Sequence, residues 1–153
     1  MKIYLAGSCS QDKRHRMEDI AKELRSHGYE VYCPFELKIP NAWSYSQEDW
    51  AFQVFHEDIT ALDACDFVVM ISDGRMSSAG TNWEQGYAYA KGKDVFVFQW
   101  ENCDTSLMTY CGCRYFANLT DFAGAANWVG EFPYEIYMEN KNFGSNPCKT
   151  ILT

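Results

Sequence analysis

Phe67-Val68-Val69-Met70-Ile71, then the small-residue loop Ser77-Ser78-Ala79-Gly80, then Thr81-Asn82-Trp83-Glu84-Gln85-Gly86-Tyr87-Ala88-Tyr89-Ala90, is the stretch that decides the fold. The first run carries β-branched and aromatic residues without polar alternation, which predicts a strand buried on both faces. The second part predicts a helix with one face repeating at Trp83, Tyr87 and Ala90 or Lys91. Glu84 therefore falls in the opening turns of a helix that starts where a strand ends. In an open α/β sheet that edge is where ligands bind. Amides and the helix dipole favour negative charge there, so this carboxylate is expected to stay ionised at neutral pH, as a nucleophile or an anchor. An acid that only complements the helix start reads the same way from this stretch alone.

Outward from it, the chain alternates strands and helices. Lys2-Ile3-Tyr4-Leu5-Ala6-Gly7 predicts the first strand, and Gly7-Ser8-Cys9-Ser10 the turn into a helix from about Asp12. That helix keeps Met17, Ile20, Ala21 and Leu24 at helical spacing and stops at Gly28. Strand, glycine turn and helix start together form a cradle of N–H groups suited to an anion, although any such unit needs a turn. Lys13, Arg14 and Arg16 are a basic cluster that fits either a solvated helix face or a phosphate contact. A second strand covers Tyr29 to Cys33. Residues 35–46, with Pro40, Trp43 and Tyr45, have no period and fit either a lid or a subunit contact.

Gln47 to Ala64 predicts a helix capped by Ser46, with Trp50, Val54, Ile59 and Leu62 toward the core and Asp58 near its middle. An exposed Asp58 would be idle; one facing the strand ends would have a raised pKa and suit a proton donor. Asp94 to Phe98 and Tyr115 to Asn118 complete five strands, Ser106 to Tyr110 a short helical turn, and Thr120 caps a last helix through Trp128. The order predicts an α/β fold in three layers around a five-stranded parallel sheet, flavodoxin- or Rossmann-like, as one domain over 1–153. Residues 130–153 show no period and pack on the body or on a neighbouring subunit.

Composition narrows the function. Of 153 residues, 47% are hydrophobic and 16% aromatic, which fits a folded domain. A formal net charge of −8 leaves no excess positive field for a nucleic-acid polymer or an anionic membrane. No secretory leader pattern opens the chain and no apolar run has transmembrane length, so a cytoplasmic location is expected. Of the 7 cysteines, Cys111-Gly112-Cys113 forms a CxC without a second pair or histidines, a weak zinc signal, and all are expected to be reduced thiols. GxGxxG, Walker A, HExxH and GxSxG patterns are absent.

Four spaced elements resemble the nucleoside 2-deoxyribosyltransferase family: Lys2–Gly7, His56-Glu57-Asp58-Ile59 with Ala64–Val69, Gly80–Ala88, and Ser106-Leu107-Met108. The resemblance covers about three-quarters of the chain and ends near Phe122. It implies that Glu84 is the nucleophile, that Tyr4 orients it, and that Asp58 serves the departing base. It implies that Gly7, Ser8, Ser10, Ser78 and Gly80 hold the substrate, with Ser106 and Met108 inserted from a neighbouring subunit of a homo-oligomer. Neither a metal nor an organic cofactor is implied.

Two departures bear on the substrate. Family members acting on free nucleosides usually carry Asp six residues before the nucleophile and Asn at the start of the inserted segment, where this chain has Ser78 and Ser106. Carboxylates repel a 5′-phosphate, whereas hydroxyls and amides accept it. The serines resemble the branch that hydrolyses 2′-deoxynucleoside 5′-monophosphates, and Ser8 matches a phosphate-contacting serine of that branch. Its arginine two residues on is Ser10 here, so a cation would have to come from Lys13, Arg14 or elsewhere. The expected reaction is cleavage of an N-glycosidic bond through a glycosyl ester on Glu84, opened by water. The alternatives are base exchange, or nucleotide binding without catalysis.

Overall fold

The computed structural model describes residues 1–101, 103–120 and 124–141. Five strands are joined through helices: β1 (Lys2–Ala6), α1 (Arg14–Ser26), β2 (Glu30–Tyr32), α2 (Gln47–Ala64), β3 (Phe67–Ser72), α3 (Ala79–Ala90), β4 (Asp94–Gln99), α4 (Leu107–Cys111), β5 (Tyr115–Asn118), α5 (Ala125–Glu131) and α6 (Tyr134–Glu139). All pairings are parallel, in the order β2-β1-β3-β4-β5. The chain leaves β1 for β2 on one side and returns to β3 on the other. That reversal opens a crevice at the carboxyl ends of β1 and β3, the general ligand position of such sheets.

Strand alternation sorts the side chains into two cores. Ile3, Leu5, Phe67, Val69, Phe96 and Phe98 meet Met17, Ile20, Ala21 and Leu24 of α1, with Val129 of α5 and Tyr134 of α6. Tyr4, Ala6, Val68, Met70, Val95 and Val97 face the other way, against Leu62 of α2 and Ala88 of α3. Each fully buried large apolar side chain contributes on the order of 1.5–3 kcal/mol. A one-residue slip of β1 would exchange the two sets, so the same packing that stabilises the sheet fixes the face Tyr4 points to.

Ser46 caps α2 as expected, its Oγ accepting from the Asp49 N–H at 3.1 Å. Gly28 and Gly92 follow α1 and α3 at φ of 89° and 75°, a conformation a Cβ would disfavour. The first helix is preceded by a 3₁₀ turn over Gln11–Lys13, so α1 proper starts two residues later than expected.

Other expectations need correction. Only Leu62 of the four α2 positions is fully buried; Trp50, roughly 120° around the helix from it at about 100° per residue, is 43% exposed. The stripe on α3 is likewise not its sheet side. Thr81, Gln85 and Ala88 face the core, whereas Trp83 stacks on Tyr87 at 5.4 Å and meets Phe55 of α2 at 5.5 Å. The helix through Trp128 is α5, which starts after Gly124 and not after Thr120, whose hydroxyl donates to Asn118. The segment after Gly130 contains α6, whose Tyr134 is fully buried and donates to the Val129 carbonyl at 2.7 Å. Residues 142–153 of that segment, Cys148 among them, lie outside the described residues.

Candidate active site

Two carboxylates and two phenols converge beside the sheet's carboxyl edge. β1 buries Tyr4 completely, and its hydroxyl donates to Glu84 Oε1 at 2.7 Å. The next strand position in register, Tyr32 on β2, stacks on Tyr4 with ring centroids 5.4 Å apart. Its hydroxyl donates to Asp58 Oδ1 at 2.8 Å. Each acid thus has a phenol of its own, and the phenols lie against one another. The sequence marks Tyr32 only as part of a strand; its proximity to Tyr4 depends on β1 and β2 being neighbours, and its bond to Asp58 on the placement of α2.

Glu84 is the sixth residue of α3, beyond the first turn over which a helix dipole acts strongly. Burial dominates, and its carboxyl is pushed up to about 7. The Tyr4 hydrogen bond opposes that shift and the nearby Asp58 charge adds to it. The expectation that the helix start keeps Glu84 ionised at neutral pH is therefore corrected, because desolvation outweighs the dipole here. Asp58 is also raised, first by burial and further by Glu57, against the Tyr32 hydrogen bond that favours its charged form. Burial and the adjacent carboxylates push both phenols far above their ordinary value, so they remain donors.

A cavity of about 530 Å³ opens over these groups. Asp58 and Glu84 stand on its wall, with Gly7, Ser8, Ser10 and Ser78 around another part and Trp50 and Leu37 supplying apolar surface. A second hollow of about 370 Å³ adjoins it, shares Asp58, Gly80 and Glu84, and is bounded by Phe55 and Trp83. A Cβ at Gly7 would stand 2.4 Å from Met17 Cε, so glycine lets β1 pass directly over α1. Ser8 and Ser10 share a hydroxyl hydrogen bond at 2.8 Å. Ser78 caps α3, its Oγ accepting from the Thr81 N–H at 3.2 Å.

The family model for nucleoside 2-deoxyribosyltransferases matches residues 3–146. The chain belongs to this family. The deoxyribosyltransferase-family enzyme is similar in structure to the 2-deoxyribosyltransferase of Bacillus psychrosaccharolyticus, with a TM-score of 0.75 and 26% identity over 90% of this chain and 96% of that one. It shares its fold with the CMP N-glycosidase BcmB of Clostridium botulinum, at a TM-score of 0.59 and 19% identity over 90% and 99% of the two chains. A conserved protein of Enterococcus faecalis V583 matches at 0.55 and 22%, over 76% and 81%. No curated protein matches the sequence significantly.

Other residues singled out in the enzyme's sequence fall elsewhere. Ser106 caps α4, its Oγ accepting from the Met108 N–H at 3.2 Å, and Met108 is 81% exposed. Neither lines the cleft described above. The basic cluster is committed to carboxylates: Lys13 Nζ and an Arg16 guanidinium nitrogen meet the same buried Asp73 oxygen at 3.1 and 2.6 Å, and Arg14 pairs with Glu18 at 2.7 Å. Among the described residues no group of three or more His, Cys, Asp or Glu is placed to hold a metal ion, and no helix is long and apolar enough to cross a membrane.

Proposed function

We propose that the enzyme cleaves the N-glycosidic bond of a 2′-deoxynucleoside 5′-monophosphate by hydrolysis, through a glycosyl ester on Glu84. The observation that carries this reading is the Tyr4–Glu84 hydrogen bond at 2.7 Å, in a cleft whose wall also holds Asp58. Glu84 Oε attacks the anomeric carbon as the carbon–nitrogen bond breaks, and the departing base takes the bonding electrons. Asp58 gives that base a proton. Its raised affinity for protons, from burial, keeps the proton available at higher pH than in an exposed aspartate. Tyr4 fixes the attacking oxygen and favours the carboxylate form. Water then attacks the anomeric carbon, its proton passes to the Asp58 carboxylate, and the bond to Glu84 breaks to release the sugar and restore both acids.

The hydroxyl-lined part of the cleft supports a phosphate rather than a bare 5′-hydroxyl. Ser8, Ser10 and Ser78 lie there, and Ser78 opens the 12-residue α3, whose amino-terminal amides favour an anion. The exposed Leu107 and Met108, 78% and 81% accessible, support insertion of the Ser106–Met108 segment into the cleft of a second copy. The assembly is then a homodimer or larger, and an active species that scatters light as a monomer contradicts it.

Base exchange is the second reading. It is favoured by the greater structural and sequence similarity to the Bacillus psychrosaccharolyticus transferase. One experiment separates the two: release of base from paired nucleosides and monophosphates, with and without an acceptor base. Hydrolysis predicts faster release from the monophosphate and no dependence on acceptor; exchange far outrunning hydrolysis refutes it. Glu84→Ala is expected to reduce cleavage to background, and turnover at the wild-type rate removes Glu84 from the reaction.

A further inference from the structure

Tyr32 is a half-buried phenol that the mechanism above leaves without a part. It sits on a three-residue edge strand, where packing alone asks only for a β-former. Instead its ring lies against Tyr4 with an interplanar angle of 26°, and its hydroxyl reaches Asp58. These contacts span 26 residues to α2 and one strand pairing to β1, so they tie the proton donor to the residue that orients the nucleophile.

We propose that Tyr32 is a positioning residue for glycosidic cleavage: its phenol holds Asp58 Oδ1, so that Oδ2 carries the proton toward the departing base. This rests on the reading of Asp58 as the proton donor. The hydroxyl oxygen of a neutral carboxylic acid is a weak acceptor. A phenol donating to Oδ1 therefore places the acid proton on Oδ2. As the carbon–nitrogen bond breaks, that proton moves to the base nitrogen receiving the electron pair, and Asp58 becomes a carboxylate. The Tyr32 hydrogen bond then gains charge assistance, so it is stronger after the transfer than before it. The stacked rings make the arrangement stiff. Turning Asp58 away from the cleft breaks its hydrogen bond to Tyr32.

The charged and titratable groups around Asp58 are Tyr32 from β2, Tyr4 from β1, Glu84 from α3, Cys9 from the β1–α1 loop, and Glu57 beside it on α2. Of these, Tyr32 is the group whose hydrogen bond favours ionised Asp58. Its loss makes Asp58 a weaker acid.

Tyr32→Phe keeps the stacking ring and removes only the hydroxyl. The experiment measures kcat for wild type and Tyr32→Phe over 2′-deoxynucleoside monophosphates graded by the acidity of the departing nitrogen. The expected loss is about 10–100-fold in kcat for the least acidic leaving groups, the size of one hydrogen bond to a charged group. It shrinks toward none for the most acidic, with KM little changed and the descending limb of the pH profile moved upward. A uniform loss across the series, or none, overturns the proposal. If the wild type cleaves no member of the series, the glycosidase reading fails, and the Tyr32–Asp58 coupling is decided by carbon-13 titration of the Asp58 carboxyl. A midpoint raised in Tyr32→Phe supports the coupling; an unchanged midpoint overturns it.

Discussion

Replacing Glu84 by glutamine should make this protein more stable at alkaline pH while removing its proposed nucleophile. Burial raises the Glu84 carboxyl from 4.5 to about 7, so the folded chain binds this proton more tightly than the unfolded chain. At about 1.4 kcal/mol per pKa unit, the difference corresponds to about 3 kcal/mol. A raised pKa gives stability that is fully present below the unfolded value and is lost as pH rises through the folded one. Wild type therefore gives up about 3 kcal/mol between roughly pH 4 and pH 8 through this one group. Glutamine keeps the shape and retains a carbonyl oxygen to accept from Tyr4 at the place where Oε1 lies 2.7 Å away. It carries no charge to desolvate at any pH. Urea unfolding at about pH 4 should give equal stabilities, and at about pH 8 a Glu84→Gln protein more stable by about 3 kcal/mol. That gain corresponds to roughly 6–12 °C in Tm for a chain of this size. Equal stabilities at the alkaline pH, or a less stable variant, would refute the claim that Glu84 is held in place against its own desolvation.

Tyr4→Phe removes the hydrogen bond that favours ionised Glu84, so the ascending limb of the pH–rate profile should move to higher pH, with kcat down about 10–100-fold; an unmoved limb contradicts the orienting role. Asp58→Asn removes a nearby like charge and should move the same limb to lower pH, seen in profiles with the most acidic leaving groups, where proton donation matters least. Ser78→Asp keeps a good helix cap but adds a carboxylate to the hydroxyl-lined part of the cleft. KM for a monophosphate should rise about 10–100-fold relative to the nucleoside, and an unchanged ratio places the phosphate elsewhere. Gly130→Ala would set a Cβ 2.8 Å from Glu23 Cβ, and chemical denaturation should report a loss of about 1–3 kcal/mol.

Much of this molecule is legible from local pattern because local pattern is what burial acts on. Met17, Ile20, Ala21 and Leu24 are one helical stripe, and all four are buried. The buried run from Phe67 to Ile71 is β3, and Ser46 sits at the start of α2 with its side chain capping as its type predicts. Patterns fail where neighbours come from far along the chain. Trp50 and Leu62 lie roughly 120° apart around α2 at about 100° per residue, so the one is 43% exposed and the other buried. Tyr134 follows a proline in a segment without period, and it packs against Tyr29 from the α1–β2 connection, Phe67 of β3 and Phe96 of β4. At the cleft, the proximity of Tyr4, Asp58 and Glu84 was expected from family resemblance. Tyr32 had no such pointer, and its only local mark was a tyrosine one strand over from another. The displacement of Glu84 toward neutrality was hidden for a different reason, since a helix start suggests stabilised charge and only the depth of the cleft reveals the opposite.

The contact between Gly130 and Glu23 has a consequence for anyone trimming this protein. α5 rests its backbone on α1 closely enough that no side chain fits between them, and α6 then seals the phenylalanines of β3 and β4. A fragment ending before Ala125 would retain Tyr4, Tyr32, Asp58 and Glu84, yet strip Val129, Phe132 and Tyr134 from the cluster that covers Phe67, Phe96 and Phe98. A fragment meant to fold therefore extends at least through Lys141, whose carbonyl, with those of Tyr137 and Asn140, accepts from the buried Arg114.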